Sequence, residues 1–165
     1  MEVKHEKLNE LHKETAERIE RMNEEFAKEP KIKTFDNDEN YDQMIIQKDI
    51  PFMALCEHHE VAFMGTISLA YIPKDKLIGL SKLARISEYY ANPTVKTLQE
   101  RITQQIADKL DEILKPKGVA VLVKANHGCM CYRGVKKPSE TITSALKGVF
   151  LEETRTRQEF MELIR

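Results

Sequence analysis

Residues 44–72 read MIIQKDIPFMALCEHHEVAFMGTISLAYI, and this stretch decides the fold class. Met44–Ile50 is short, apolar and β-branched, which predicts a strand. Val61–Ile72 is a longer run of the same kind, closed by Pro73. Between them, Met53–Glu60 holds Cys56, the adjacent His58 and His59, and the carboxylates Glu57 and Glu60. The two strands are expected to form an antiparallel hairpin with the reactive residues in its connection. A rigid scaffold commonly presents functional groups on such a loop.

Working outward, Leu8, Leu11, Thr15, Ile19, Met22 and Phe26 recur at spacings of three and four, which predicts a helix over residues 6–27. Pro30 ends it, and Arg18 reads as a solvated position on it. Asp36–Asn40 is a polar loop. Downstream of the hairpin, Gly79 precedes a helix over Ser81–Ala91, with Ser81 as its cap and Asn92-Pro93 as its stop. Lys82 and Arg85 share a face near its N-terminus, where free amides and two cations favour an anion. A second helix is expected over Val95–Leu114, with Val95, Leu98, Ile102, Ile106, Leu110 and Ile113 as its apolar stripe. Glu100 then lies about 200° round from Leu98 and points away from its own core. Val119–Ala125 is the clearest strand. If it continues, His127, Cys129, Cys131 and Arg133 fall on one face. Thr141–Phe150 reads as a last strand and Thr154–Arg165 as a closing helix.

The order is helix, hairpin, two helices, hairpin, helix. That is an α+β fold with a four-stranded antiparallel sheet. Residues 1–165 read as a single domain, with 1–30 an N-terminal helix and 31–165 the core. Four strands do not close a barrel alone, and their exposed edges invite pairing between subunits. Charge is balanced, with 26 basic and 27 acidic residues, so nothing global favours nucleic acid or an anionic membrane. No run approaches the length that spans a bilayer. The three cysteines are odd in number and Met1–Lys7 has no apolar leader, which together predict a reducing, cytoplasmic setting.

Cys56 and His59 have a Cys-x-x-His spacing that lets a tight turn bring thiolate and imidazole onto one zinc ion. Cys129, about seventy residues downstream, supplies a third ligand. Three protein ligands leave an open position, as catalytic zinc sites do, and zinc brings the pKa of a bound water toward neutrality. His58 and His127 would flank the ion as proton donors or acceptors. The same residues fit a closed structural site if Cys131 is the fourth ligand, and the spacing leaves both readings open.

Several blocks together resemble the GTP cyclohydrolase I family. They are Cys56-Glu57-His58-His59, Gly79-Leu80-Ser81-Lys82-Leu83-Ala84-Arg85, Gln99-Glu100-Arg101, His127-Gly128-Cys129 and Arg133-Gly134, in the family's order and nearly at its spacing. Glu14-Thr15-Ala16-Glu17-Arg18-Ile19 is similar to a further family segment, with Ala16 where proline is usual. The resemblance implies the tunnelling fold, with sheets joined into an oligomeric barrel as a homodecamer of two pentamers, and active sites between subunits. It implies one zinc per subunit on Cys56, His59 and Cys129, with GTP as substrate and 7,8-dihydroneopterin triphosphate and formate as products. His127 matches the proton donor to the purine ring and His58 a second catalytic histidine near the ribose. Gln99 and Glu100 match the guanine-reading pair, and Leu80, Ser81, Lys82, Arg85, Arg133 and Arg18 the group holding ribose and triphosphate. Asn92–Leu98 is about two residues longer than the family's segment. Two other readings stay in view: a related enzyme acting on a formed pterin, and a non-catalytic ring protein stabilised by zinc.

Overall fold

A computed structural model describes the backbone of residues 2–165 and the side chains of residues 10–165. Met1, and the Leu8 side chain expected in the first apolar stripe, lie outside the described residues. The elements in order are α1 (Glu2–Ala27), β1 (Thr34–Asp36), β2 (Ile45–Cys56), β3 (Ala62–Ile72), β4 (Lys76–Ile78), α2 (Leu80–Tyr90), β5 (Lys96–Thr97), α3 (Gln99–Leu114), β6 (Gly118–His127), α4 (Gly128–Cys131), β7 (Glu140–Gly148), α5 (Val149–Glu152) and α6 (Thr154–Leu163). The main sheet has the order β5-β2-β3-β6-β7, and β1 and β4 form a separate two-stranded sheet. The long strands are antiparallel neighbours, as an α+β hairpin plan requires.

The core explains the strand patterns. Phe63, Ile67, Leu69 and Tyr71 of β3 and Val119, Val121, Val123 and Ala125 of β6 line one buried cluster with Ile102, Ile106 and Leu110 of α3. Ala70, Ala120 and Leu122 point the other way, into a second cluster with Phe150, Phe160 and Ile164. With both faces covered, β6 is apolar at nearly every position rather than alternating. Asn37 pins the loop after β1, accepting from the Tyr41 amide and donating to the carbonyls of Tyr41 and Lys74.

Several expectations are corrected. The sheet has five strands, not four, because Lys96–Thr97 pairs in parallel with Leu55–Cys56. The amides of Leu55 and Glu57 donate to the carbonyls of Val95 and Thr97, at 3.1 and 3.0 Å. These bonds satisfy the end of an otherwise open edge, so Val95 and Leu98 are not helical and α3 starts at Gln99. The first hairpin strand runs on to Cys56. Pro51 is tolerated there because β5 pairs with β2 only at residues 55–56. The strand through His127 does not continue to Arg133: its partner β3 begins opposite, at Phe63↔His127, and no ladder exists beyond. The chain turns instead into α4. Finally, Gly79 and not Ser81 caps α2, with no side-chain cap bond, and Ser81 lies exposed in the first turn.

The last strand also stops early. Gly148 has φ 55°, and a Cβ there would lie 2.2 Å from the Lys117 carbonyl, so β7 ends and α5 begins. The apolar stripe of α1 is left largely exposed in the single chain, with Leu11 53%, Ile19 49% and Met22 39% accessible.

Ile106 is fully buried where α3 meets the sheet. Ile106→Ala is therefore expected to destabilise the fold by about 2–5 kcal/mol, read from the shift in a chemical denaturation midpoint.

Candidate metal and active site

β2 ends at Cys56 and the chain reverses within a few residues. The amides of His59 and Glu60 both donate to the Cys56 carbonyl, at 3.3 and 2.8 Å, and the Cys56 amide donates to the Val61 carbonyl. Glu60 takes φ 53° to close the turn. This local geometry folds His59 back over Cys56, with Nδ1 3.9 Å from Sγ. Two ion pairs brace the turn from outside, Glu57 with Arg101 and Glu60 with Lys96. Both are solvent-exposed, so they position the turn more than they stabilise the fold.

Cys129 arrives from the other hairpin. The Phe63↔His127 register sets the end of β6 beside the start of β3, and α4 then carries Cys129 across. Gly128 makes this approach possible, since a Cβ there would lie 2.7 Å from both the Ala62 carbonyl and a Val61 methyl. The ligand atoms of Cys56, His59 and Cys129 lie within 4.8 Å of one another. Cys56 is buried, Cys129 half-buried and His59 exposed, so the cluster opens to solvent on one side. Two sulfurs and an imidazole are a donor set that zinc accepts, with ligand–ligand separations of roughly 3.5–3.8 Å in a tetrahedral site. Without a cation the Cys129 thiol resists ionising: burial pushes its pKa up, and the facing Cys56 adds to it. A bound divalent cation reverses that balance. Cys131 does not join the cluster, so the closed four-ligand arrangement is not formed.

His127 sits at the last residue of β6 and is held on two sides. Its ring stacks on buried Phe63, with centroids 4.5 Å apart and planes 6° from parallel. Its Nε2 lies 2.9 Å from Gln99 Oε1. Burial holds its pKa below the ordinary histidine value, and the nearby Glu100 carboxylate pulls the other way. Gln99 is 1% exposed, whereas Glu100, the next residue, is exposed. Of the expected guanine-reading pair, only Glu100 therefore faces solvent in the single chain.

Lys82 and Arg85 line a groove of about 590 Å³ between α2 and the end of α1, with Lys28, Lys31, Glu25 and Glu29 on its walls. The groove excludes the cysteine–histidine cluster. Leu80, Ser81 and His58 are exposed. Arg133 is exposed and near enough to Cys129 for its charge to favour the thiolate. Arg18 lies on α1, paired with Glu14 at 3.1 Å. The single chain thus brings together Cys56, His59 and Cys129, and holds His127 beside Gln99 and Glu100. It does not gather all the cationic residues at one point. Sequence reasoning missed Phe63, Thr103 and Thr143, which pack around or behind His127. Thr103 stands four residues after Gln99 on α3, a spacing visible in the sequence, but the contact with Thr143 needs the β6–β7 register.

A candidate metal cluster beside a firmly held imidazole is the framework of an enzyme. A profile of the GTP cyclohydrolase I family matches residues 1–165. The chain is 48% identical over 157 residues to GTP cyclohydrolase 1 of Aquifex aeolicus, covering 93% of this chain and 84% of that one. It is 49% identical over 157 residues to the Hydrogenobaculum enzyme of the same name, with 93% and 85% covered. With human GTP cyclohydrolase 1 it shares 50% identity over 129 residues, 78% of this chain and 51% of that one. The chain belongs to the GTP cyclohydrolase I family, and its relatives are hydrolases.

Gly128→Ala forces the two halves of the cluster apart. It is expected to weaken metal binding at least about tenfold, checked by competition with a chromogenic chelator, with β-sheet circular dichroism retained.

Proposed function

We propose that the protein hydrolyses GTP to 7,8-dihydroneopterin triphosphate and formate, with one zinc ion per subunit. The observation that carries this reading is the convergence of Cys56, His59 and Cys129 within 4.8 Å, beside a histidine held by stacking and a hydrogen bond. The family match over the full chain supports the substrate. Net, the reaction takes up one water and releases C8 of the guanine as formate, and the remaining atoms reclose as a pterin. Zinc, when bound, supplies Lewis acidity and a nucleophilic water at neutral pH.

The other tasks fall to the chain. Cys56, His59 and Cys129 hold the ion. His127 exchanges a proton with the purine ring as the imidazole moiety opens, and His58 does so near the ribose. Glu100 accepts from the N–H groups of the guanine edge. Lys82 and Arg85, with Arg133 and Arg18, neutralise the triphosphate, while Leu80 and Ser81 border the ribose end. In this reading the remaining parts come from assembly. The unpaired edges of β2 and β7 join between protomers into the tunnelling-fold barrel, and a ring of protomers completes each site. The exposed stripe of α1 supports such an assembly, since apolar surface of that kind is normally covered. No helix among the described residues is long and apolar enough to cross a membrane, and a cytoplasmic enzyme with no nucleic-acid partner fits the balanced charge. Residues 1–165 act as one domain in this account.

The test is direct. Zinc-loaded protein is incubated with GTP, the mixture is oxidised, and fluorescent neopterin triphosphate is measured beside a chelator-treated control. Product that vanishes with the metal is the expected result; none from a zinc-containing assembly contradicts the reading. His127→Ala is expected to lower kcat by about 10²–10⁴-fold with zinc content unchanged. Loss of zinc instead would favour a structural role.

A further inference from the structure

The Gln99 side chain is fully engaged within the chain itself. Its amide nitrogen lies 3.1 Å from the Val123 carbonyl, 3.0 Å from the Thr141 carbonyl and 3.2 Å from Thr143 Oγ1. Its oxygen lies 2.9 Å from His127 Nε2. The opposite amide orientation would set Oε1 against two carbonyl oxygens, with no donor to meet them, at a residue only 1% exposed. Burying an acceptor against acceptors costs more than the pocket can return. The amide therefore has one orientation, and Oε1 can only accept. His127 Nε2 must carry the hydrogen.

A second layer fixes the first. Thr103 Oγ1 donates to the Gln99 backbone carbonyl at 2.8 Å, which uses its one hydrogen. The 2.6 Å contact between Thr103 Oγ1 and Thr143 Oγ1 is then donated by Thr143. Toward Gln99, Thr143 Oγ1 then only accepts, and it shares the two hydrogens of the Gln99 amide with the Val123 and Thr141 carbonyls. Every hydrogen in the chain Gln99, Thr143, Thr103 runs in one direction, and buried networks satisfied in this way are rigid.

We infer that Gln99 is a positioning residue that locks His127 as its Nε2–H tautomer and leaves Nδ1 to face the chemistry, and that Thr143 and Thr103 hold Gln99 to that task. Phe63 fixes the plane of the ring and Gln99 its rotation within that plane. The side chain is spent on His127 and backbone, so recognition of the guanine edge rests on Glu100. This inference builds on the proposed role of His127 in GTP hydrolysis, but its geometric part does not need that role.

The test has two arms. In the first, protein labelled with ¹⁵N-histidine and loaded with zinc is studied by solid-state NMR, well above the ordinary histidine titration range. The His127 signal is identified by its loss in His127→Gln. A protonated Nε2 with a bare Nδ1 is expected. An Nδ1–H tautomer, or an even mixture, overturns the inference, whether or not GTP is turned over. In the second arm, Gln99→Leu is expected to lower kcat by about 100-fold with KM for GTP changed less than about threefold. Thr143→Val is expected to lower kcat by about tenfold and Thr143→Ser to restore it. If Gln99→Leu does not fold, the Thr143 pair decides. A rise in KM with kcat unchanged in Gln99→Leu, or equal loss in Thr143→Val and Thr143→Ser, overturns the inference. An absence of GTP turnover in the unsubstituted protein, alongside the expected tautomer, would defeat the proposed reaction and leave the locked histidine standing.

Discussion

The pairing of β3 with β6 is the constraint on which the site depends. Its ten-residue register, from Ile72↔Gly118 to Phe63↔His127, sets the end of one hairpin against the beginning of the other. Cys56 and Cys129, distant in the chain, then meet without any long loop. Side chains on a strand alternate, so a slip of one residue would turn His127 away from Phe63 and carry Cys129 off the cluster. The buried residues of β6 protect that register, because α3 covers Val119, Val121 and Val123 on one face and the C-terminal helices cover Ala120 and Leu122 on the other.

The polar layer is built on the same sheet. Gln99 opens α3, yet its side chain reaches into the sheet to carbonyls of β6 and β7. Packing of α3 through Ile102, Ile106 and Leu110 therefore does more than bury surface: it delivers the amide that meets His127. The added strand β5 contributes from the other side, tying the turn that carries Cys56 and His59 to the start of α3. Apolar packing, strand register and one directed hydrogen-bond chain all converge on a single imidazole.

Much of this was legible in the residues. The hairpins, α2, the C-terminal half of α3 and the Cys56–His59 pair follow from β-branched runs, helical spacing and ligand spacing, and the resemblance adds Cys129. The failures share a cause. Val95–Leu98 carries helix-compatible spacing, but the open end of β2 needed partners and drew it into a strand. His127, Cys129 and Cys131 stand at period two, which reads as one strand face. The strand runs out of partner at Phe63, and a turn of helix replaces it. Gln99 and Glu100 match the guanine-reading pair together, by resemblance, and nothing in their adjacency separates them. Only the fold shows that the first side chain points inward and the second out.

The zinc-edge X-ray absorption spectrum of the loaded protein most directly tests the central claim, that the two clusters make one open metal site. The account predicts two sulfur ligands, one imidazole nitrogen and one light, exchangeable ligand, unchanged in Cys131→Ala. Three sulfurs, with one lost in Cys131→Ala, would show a closed structural site and contradict the account.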